Sequence, residues 1–225
     1  LNTKDRILKL LTDRKGSYVS GEQISTELGI SRTAVWKHIL KLKEEGHVIQ
    51  SINRLGYQLI NSGDIYDRSS VISRLNTKIL GRILYFFDTI DSTNNELKRM
   101  AANGACEGTV ILALSQTEGR GRRGRQWQSE PGTGIYMSVL LRPELSPTAV
   151  QSVTLLASSA VCKVLEKYVP DGLGIKWPND ILINNKKVCG ILTEMTSEPD
   201  KVQAIILGIG LNVWNREEDF RDGLA

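Results

Sequence analysis

Apolar positions in the first sixty residues recur at helical spacing and then switch to short runs. Ile7, Leu8, Leu10 and Leu11 mark a first helix, and Gly21-Glu22-Gln23-Ile24-Ser25-Thr26-Glu27-Leu28 a short second one ahead of the tight turn Gly29-Ile30. Ser31 is a good N-cap for a third helix, whose buried stripe Val35, Ile39 and Leu42 is spaced four and three apart and which Gly46 ends. Two strand-like runs follow, residues 48–52 and 57–60, joined by Asn53-Arg54-Leu55-Gly56. Trp36 and Leu40 are expected to pack in the core or between helices.

Helix, helix, glycine-containing turn, helix and hairpin is the element order of a winged helix-turn-helix, placed at residues 1–62. In that arrangement Ser31, Arg32, Thr33 and Lys37 face a DNA major groove and Arg54 in the wing meets phosphate or the minor groove. A small helical domain with a solvated basic face, or a protein-binding winged helix, fits the same pattern. Residues 61–74 begin polar and loop-like and then suit a short helix, so the junction between domains is set at 63–76.

From 77 to 225 the pattern is mixed. Residues 83–87 read as a strand, 88–93 as the turn into a helix over 94–102, and 109–114 and 135–141 as two more strands. A long helix is expected over 147–168, then strands at 173–177, 181–183, 187–195 and 202–213. The turn Asn184-Asn185-Lys186 is short, which makes its flanking strands antiparallel neighbours. Strands and helices do not alternate regularly, so the expected class is α+β: a winged helix followed by a mixed, largely antiparallel α/β domain without Rossmann order.

Composition adds exclusions. Of 225 residues, 40% are hydrophobic and 24% charged, ordinary for a globular protein. No stretch approaches the length of a membrane span and no signal peptide opens the chain, so no membrane partner is expected. Three scattered cysteines, Cys106, Cys162 and Cys189, fit a reducing compartment such as a bacterial cytoplasm and give no zinc or disulfide framework. The net charge of +4 arises wholly in residues 1–60, which hold ten Lys/Arg against six Asp/Glu, whereas the remainder holds 19 of each. Both histidines, His38 and His47, also lie there. A Ser-His-Asp or Cys-His mechanism, or a His-ligated metal, is therefore not expected in the larger domain, and no metal ligands are assigned anywhere.

The densest chemistry is Gly119-Arg120-Gly121-Arg122-Arg123-Gly124-Arg125, followed by Trp127. Such a run fits a solvated or nucleic-acid-binding patch, or a loop that closes over an anion with backbone N–H groups and guanidinium forks. Its apolar, strand-like flanks favour an insertion in a packed domain. Like charges and glycines predict disorder of this loop without ligand. Lys176-Trp177-Pro178-Asn179-Asp180 and Lys187 add cations and a carboxylate. Together these segments suit a site that brings two negatively charged reactants together.

Five segments in order, Asp91-Ser92-Thr93-Asn94, Gln116 with Gly119 to Gly124, Lys176 to Asp180, Lys187-Val188-Cys189-Gly190-Ile191-Leu192 and Gly208-Ile209-Gly210-Leu211-Asn212, resemble the motifs of biotin-protein ligases. With a winged helix in front, the chain resembles the bifunctional bacterial form, the biotin operon repressor and biotin-[acetyl-CoA-carboxylase] ligase. The resemblance implies a biotin/lipoate-ligase-like catalytic domain that uses ATP and Mg²⁺ to make biotinyl-5′-AMP and then biotinylates a lysine of a biotin carboxyl carrier protein. It also implies operator DNA binding and a homodimer promoted by biotinyl-AMP. By family position Lys187, Arg122 and Asp180 are the catalytic groups. Ser92, Thr93, Asn94, Gln116, Gly119 and Arg120, with Arg122 and Lys187, hold biotin. Arg122, Arg125, Trp127, Lys187, Asn212 and Phe220 hold ATP or the adenylate. The family normally carries a further SH3-like β-barrel domain, and because this chain stops at Ala225 that domain is expected to be absent. A lipoate-protein ligase and a DNA-binding regulator with an inactive ligase-like domain are the competing expectations.

Overall fold

A computed structural model of the chain describes residues 2–14, 16–61, 66–197, 202–215 and 220, in two units that divide after Thr77. The first unit holds α1 (Thr3–Asp13), α2 (Gly21–Leu28), α3 (Arg32–Glu44), the antiparallel hairpin of β1 (Val48–Ile52) and β2 (Gly56–Asn61), and α4 (Arg68–Arg74). Polar residues set each helix start. Asn2 accepts from the Asp5 amide at 2.8 Å, Ser20 and Gln23 form a reciprocal capping box, and Ser31 accepts from the Ala34 amide at 3.2 Å. The expected stripe of Val35, Ile39 and Leu42 packs with Ile7, Leu8 and Leu11 into a single core. The wing is fastened by paired Val19–Tyr57 backbone bonds of 2.8 and 2.9 Å. Gly56 permits this close approach: its φ is +111°, and a Cβ there would lie 2.2 Å from the Val19 carbonyl oxygen.

Two expectations change here. Trp36 and Leu40 lie on the face of α3 opposite the core, with Trp36 51% exposed, because the stripe at 35, 39 and 42 already fills the interior. The stretch set as a junction contains α4, which packs on α1. Buried Asp5 of α1 accepts from Ser69 Oγ at 2.6 Å and pairs with Arg68, so α4 belongs to the first unit. Residues 63–65 of that junction, with residue 62 before them, lie outside the described residues.

The second unit is a seven-stranded sheet. Its elements are β3 (Leu84–Ile90), α5 (Thr93–Ala102), β4 (Val110–Gln116), β5 (Gly134–Leu141), α6 (Val150–Leu165), β6 (Leu173–Lys176), β7 (Asp180–Ile183), β8 (Lys186–Ser197) and β9 (Val202–Asn212). The order is β3-β4-β5-β9-β8-β7-β6, with only β3 and β4 parallel, which is the mixed, largely antiparallel sheet that the pattern predicts. Leu97 of α5 is buried against Ile111, Leu140 and Ile206 of the sheet. Asn184 and Asn185 take φ of +49° and +64°, the left-handed turn that Asn tolerates between two hairpin strands. β3 runs on to Ile90 where a turn was expected from Asp88, since Thr89 and Ile90 stay in register with Ser115 and Gln116. That extension delivers the start of α5 beside the end of β4.

A 3-10 turn, Pro147–Ala149, precedes α6, which ends at Leu165, short of the expected 168. Pro147–Leu165 is long and apolar enough to cross a membrane by length and composition, which the expectation of no such stretch missed. Here the helix lies on the sheet, with Ser158 and Cys162 buried and Thr154 Oγ1 2.7 Å from Thr193 Oγ1 of β8. Burial pushes the Cys189 thiol up to about 12 and raises that of Cys162, whereas Cys106 is exposed. Iodoacetamide is expected to label Cys106 well before the other two, read by peptide mass mapping. Equal native-state labelling of Cys189 would contradict the packing of β8.

Candidate functional site

One cleft of the second unit, about 460 Å³ with its mouth included, gathers residues from all five sequence segments and from the Trp127 turn. Its inner wall is the N-terminus of α5. Thr93 and Asn94 are buried there because Gln116, at the end of β4, accepts from the Thr93 amide at 2.8 Å, and Ser138 of β5 donates to Asn94 Oδ1 at 2.6 Å. Gln116 also donates to buried Ser129 at 2.9 Å, which fixes its amide orientation. Ser92, buried as the N-cap of α5, completes this polar end. A helix N-terminus lined by hydroxyls and an oriented amide offers donors and acceptors at the blind end of a pocket.

The floor is made by glycines. Gly190 and Gly210 are register partners on β8 and β9, and Trp127 lies across both: a Cβ at either would sit 2.7 or 2.5 Å from the indole. At Gly208 the same imaginary atom would meet Asn94 at 2.3 Å. The sheet face is thus bare of side chains where Trp127 and Asn94 cover it. Gly119 serves the same end, since a Cβ there would be 2.2 Å from the Trp127 carbonyl oxygen. The buried Trp127 Nε1 has no hydrogen-bond partner among the described residues, a donor left for a bound group to satisfy.

The mouth is cationic. Within the arginine loop Arg120 and Gln126 bridge its ends, Gly121 donates to the Arg125 carbonyl at 2.7 Å, and residues 122–124 make a 3-10 turn with Arg123 at φ +56°. Arg122 Nη1 donates to Asn179 Oδ1 at 2.8 Å, Asn179 Nδ2 to Asp180 Oδ1 at 3.0 Å, and Lys187 Nζ pairs with the same Asp180 oxygen at 2.8 Å. Two strands, β7 and β8, and the turn before them therefore hold both cations on one Asn-Asp pair. Lys187 also lies 5.3 Å from the centroid of the Trp127 ring, a cation–π distance.

A carboxylate stands behind the polar wall. Glu194 of β8 accepts from Lys98 at 2.6 Å and Asn94 at 2.8 Å, with Arg120 at 3.7 Å. Burial works against its ionisation, but the bonds from Lys98 and Asn94 and the nearby positive charges prevail and hold its carboxyl below the usual range. Asp91 ends β3's turn with a bidentate Arg99 pair, both bonds 2.9 Å, and is held to about 2.

Of the expected residues, Ser92, Thr93, Asn94 and Gln116 line the polar end of the cleft, and Arg120, Arg122, Trp127 and Lys187 its mouth and floor. Asp180 touches the cleft through Lys187 and Asn179, and Gly119 is buried beneath Trp127. Arg125 is exposed outside the lining, and Asn212, at the end of β9 opposite Gly134, is half-buried outside it too. Phe220 is half-buried, and residues 216–219 and 221–225 around it lie outside the described residues. The lining also includes Asn179, Leu192 and Ile209, which stand in the quoted motifs without an assigned role, and Met137, which was not singled out. Asn179 was legible as part of its motif, whereas Met137 gave no signal beyond an ordinary strand position.

A second hollow, in the first unit, runs between α3 and the wing. Arg32, Thr33 and Arg54 line it together with Trp36 and Asn53. Lys37 is exposed on α3 outside this lining, and Ser31 spends its hydroxyl on the helix cap.

Residues 86–212 match the model of the biotin/lipoate A/B protein ligase family, and residues 3–58 match that of an HTH domain. The chain belongs to the biotin/lipoate A/B protein ligase family. Within the family it is 44% identical over 218 residues to the bifunctional ligase/repressor BirA of Bacillus spizizenii, covering 97% of this chain and 67% of that one. Against the BirA of Escherichia coli the identity is 32%, over 92% of this chain and 63% of that one. Among solved structures, the biotin protein ligase of Aquifex aeolicus in complex with biotin and ATP aligns with a TM-score of 0.51 and 35% identity, covering 64% of this chain and 56% of that one. The chain thus spans about two thirds of the length of these bifunctional members of the family.

Proposed function

We propose that the second unit is an ATP-dependent biotin-protein ligase and the first a biotin-responsive DNA-binding repressor domain. The observation that carries the ligase half is the polarity of one cleft: a neutral hydrogen-bonding end at Thr93, Asn94 and Gln116, and a cationic mouth at Arg122 and Lys187. Biotin has the matching asymmetry, a ureido ring at one end and a carboxylate at the other. The Bacillus relative, named as a bifunctional ligase/repressor, and the Aquifex biotin protein ligase, solved with biotin and ATP, support it.

In the first step the biotin carboxylate attacks the α-phosphorus of ATP, forming the mixed anhydride biotinyl-5′-AMP as pyrophosphate leaves. Two anions in contact repel by about 4 kcal/mol per charge pair at an effective dielectric of 20. Arg122 and Lys187 offset this, and because both rest on Asn179–Asp180 they are prepositioned at one edge of the cleft. Trp127, backed by Gly190 and Gly210, offers its outer face to the nucleotide. Magnesium fits as the companion of ATP's phosphates, where it neutralises charge, and Asp180 is the carboxylate beside the mouth that would hold it. In the second step Asp180 is placed to orient the incoming carrier-protein lysine and to take a proton from its ammonium; the free amine then attacks the acyl carbon of the anhydride and AMP leaves, as Lys187 moves onto the acyl phosphate. The carrier is the biotin carboxyl carrier protein of a biotin-dependent carboxylase, and the setting is the cytoplasm, where ATP and DNA are both available.

Incubating the chain with biotin, ATP and Mg²⁺ and examining it by native mass spectrometry is expected to show bound biotinyl-AMP, with none formed from lipoate. Biotin bound without adenylate would favour a regulator with an inactive ligase-like unit, and lipoyl-AMP would favour the lipoate reading.

For the first unit, the hollow between α3 and the wing, with Arg32 and Arg54 on its two sides, suits a DNA backbone and groove edge. Arg32→Ala and Arg54→Ala are each expected to reduce the slope of log affinity against log salt by about one. Trp36→Ala, which removes no charge, should weaken operator binding with that slope unchanged. Fluorescence anisotropy over a salt series checks both, and an unchanged slope in the arginine variants would count against DNA binding by this face. Adenylate-promoted homodimerisation would set two such hollows on a palindromic operator, and sedimentation with and without biotinyl-AMP tests it.

A further inference from the structure

The first unit contains a buried histidine with nothing to bond. His47, between α3 and β1, has a side chain 0% exposed, and neither ring nitrogen has a hydrogen-bond partner among the described residues. Leaving one buried polar atom unsatisfied costs about 1–3 kcal/mol, so two on one ring call for an explanation. Two carboxylates flank it. Asp67 Oδ2 lies 3.9 Å from Nε2, and Glu45 supplies a third candidate ligand atom, all three within 4.8 Å of one another.

We propose that Glu45, His47 and Asp67 form a binding site for a divalent transition-metal ion of the zinc type. One imidazole and two carboxylates are three of the four ligands such an ion takes, and water supplies the fourth. The ring's two nitrogens, both buried and without a partner among the described residues, are the donor atoms such an ion would take. Asp67 is held in place by its other oxygen, which caps α4 by accepting from the Ser70 amide at 2.7 Å. Glu45 is the C-cap of α3. An ion here ties the end of the helix that carries Arg32 and Trp36 to the start of α4.

Lys4 of α1 now takes the place of a cation, bonding both Glu45 oxygens at 2.7 and 2.6 Å. The metal and the Lys4 ammonium therefore compete for one carboxylate, and this gives the proposal a signature that adventitious surface binding lacks.

The test is zinc titration of the full chain by calorimetry, in a Cys106→Ser background that removes the exposed thiol, with circular dichroism to confirm folding. One zinc per chain is expected. His47→Gln and Asp67→Asn, the latter retaining the capping oxygen, should each weaken it by on the order of tenfold or more. Lys4→Gln should tighten it, and the other histidine variant, His38→Gln, should leave it unchanged. Zinc should also raise the melting temperature of the parent and not of His47→Gln. No binding, an affinity that survives His47→Gln, dependence on His38, or weakening by Lys4→Gln would overturn the proposal.

Discussion

Replacing Lys187 with alanine is expected to slow biotinyl-adenylate formation by roughly 100- to 1,000-fold, the usual effect of removing one preorganised donor from a site of developing charge. The lysine projects from the second position of β8, pairs with Asp180 at 2.8 Å, and is steadied by the Trp127 face, so its ammonium is placed before substrate arrives. In the proposed binding mode it meets the carboxylate and phosphate oxygens while Thr93 and Gln116 hold the ureido ring at the far end, so biotin affinity should fall much less than rate. Pyrophosphate release measures the first, and calorimetric biotin binding the second. Lys187→Arg should recover part of the rate by keeping the charge. A variant within threefold of the parent rate would remove Lys187 from the mechanism, and an equal loss in biotin affinity would make it a ground-state binding group instead.

What the sequence made legible follows from how local each signal is. The helices of the first unit and the turn Asn184–Asn185 are written in caps, helical periods and Asn tolerance of positive φ, all within a few residues. The cations of the cleft were legible because Arg122 and Lys187 stand in dense motifs. Their common anchor was not, since it joins residues 122, 179, 180 and 187 through side-chain bonds that only the folded sheet assembles. Trp36 was misplaced for a related reason: an aromatic in a helix suggests burial, but three aliphatics on the opposite face had already filled the core. Asp5 and Ser69 are 64 residues apart, and polar residues at that separation give no hint that they hold α4 onto α1.

The glycines of β8 and β9 support the most disruptive substitution in the cleft. Gly208-Ile209-Gly210 reads in sequence as a weak strand, because glycine costs backbone entropy and offers nothing to pack. In the sheet its purpose is the space above it. Gly210→Val would set a Cβ 2.5 Å from Trp127 and drive the indole off the Gly190–Gly210 floor, and the Trp127 backbone could not follow because its amide is bonded to the Gly119 carbonyl at 2.9 Å. Overpacking of this kind destabilises by about 1–3 kcal/mol. The larger effect is on chemistry: the ring and the Lys187 it steadies shift together, and displacement of about 1 Å at a reacting centre costs about 100-fold in rate. Gly174→Ala is the matched control, as a Cβ there meets nothing within 4 Å. The expected result is a lower melting temperature and near-complete loss of adenylate formation for Gly210→Val, with the control at parent values in both. Parent-like adenylation in Gly210→Val would mean that Trp127 works from somewhere other than this floor.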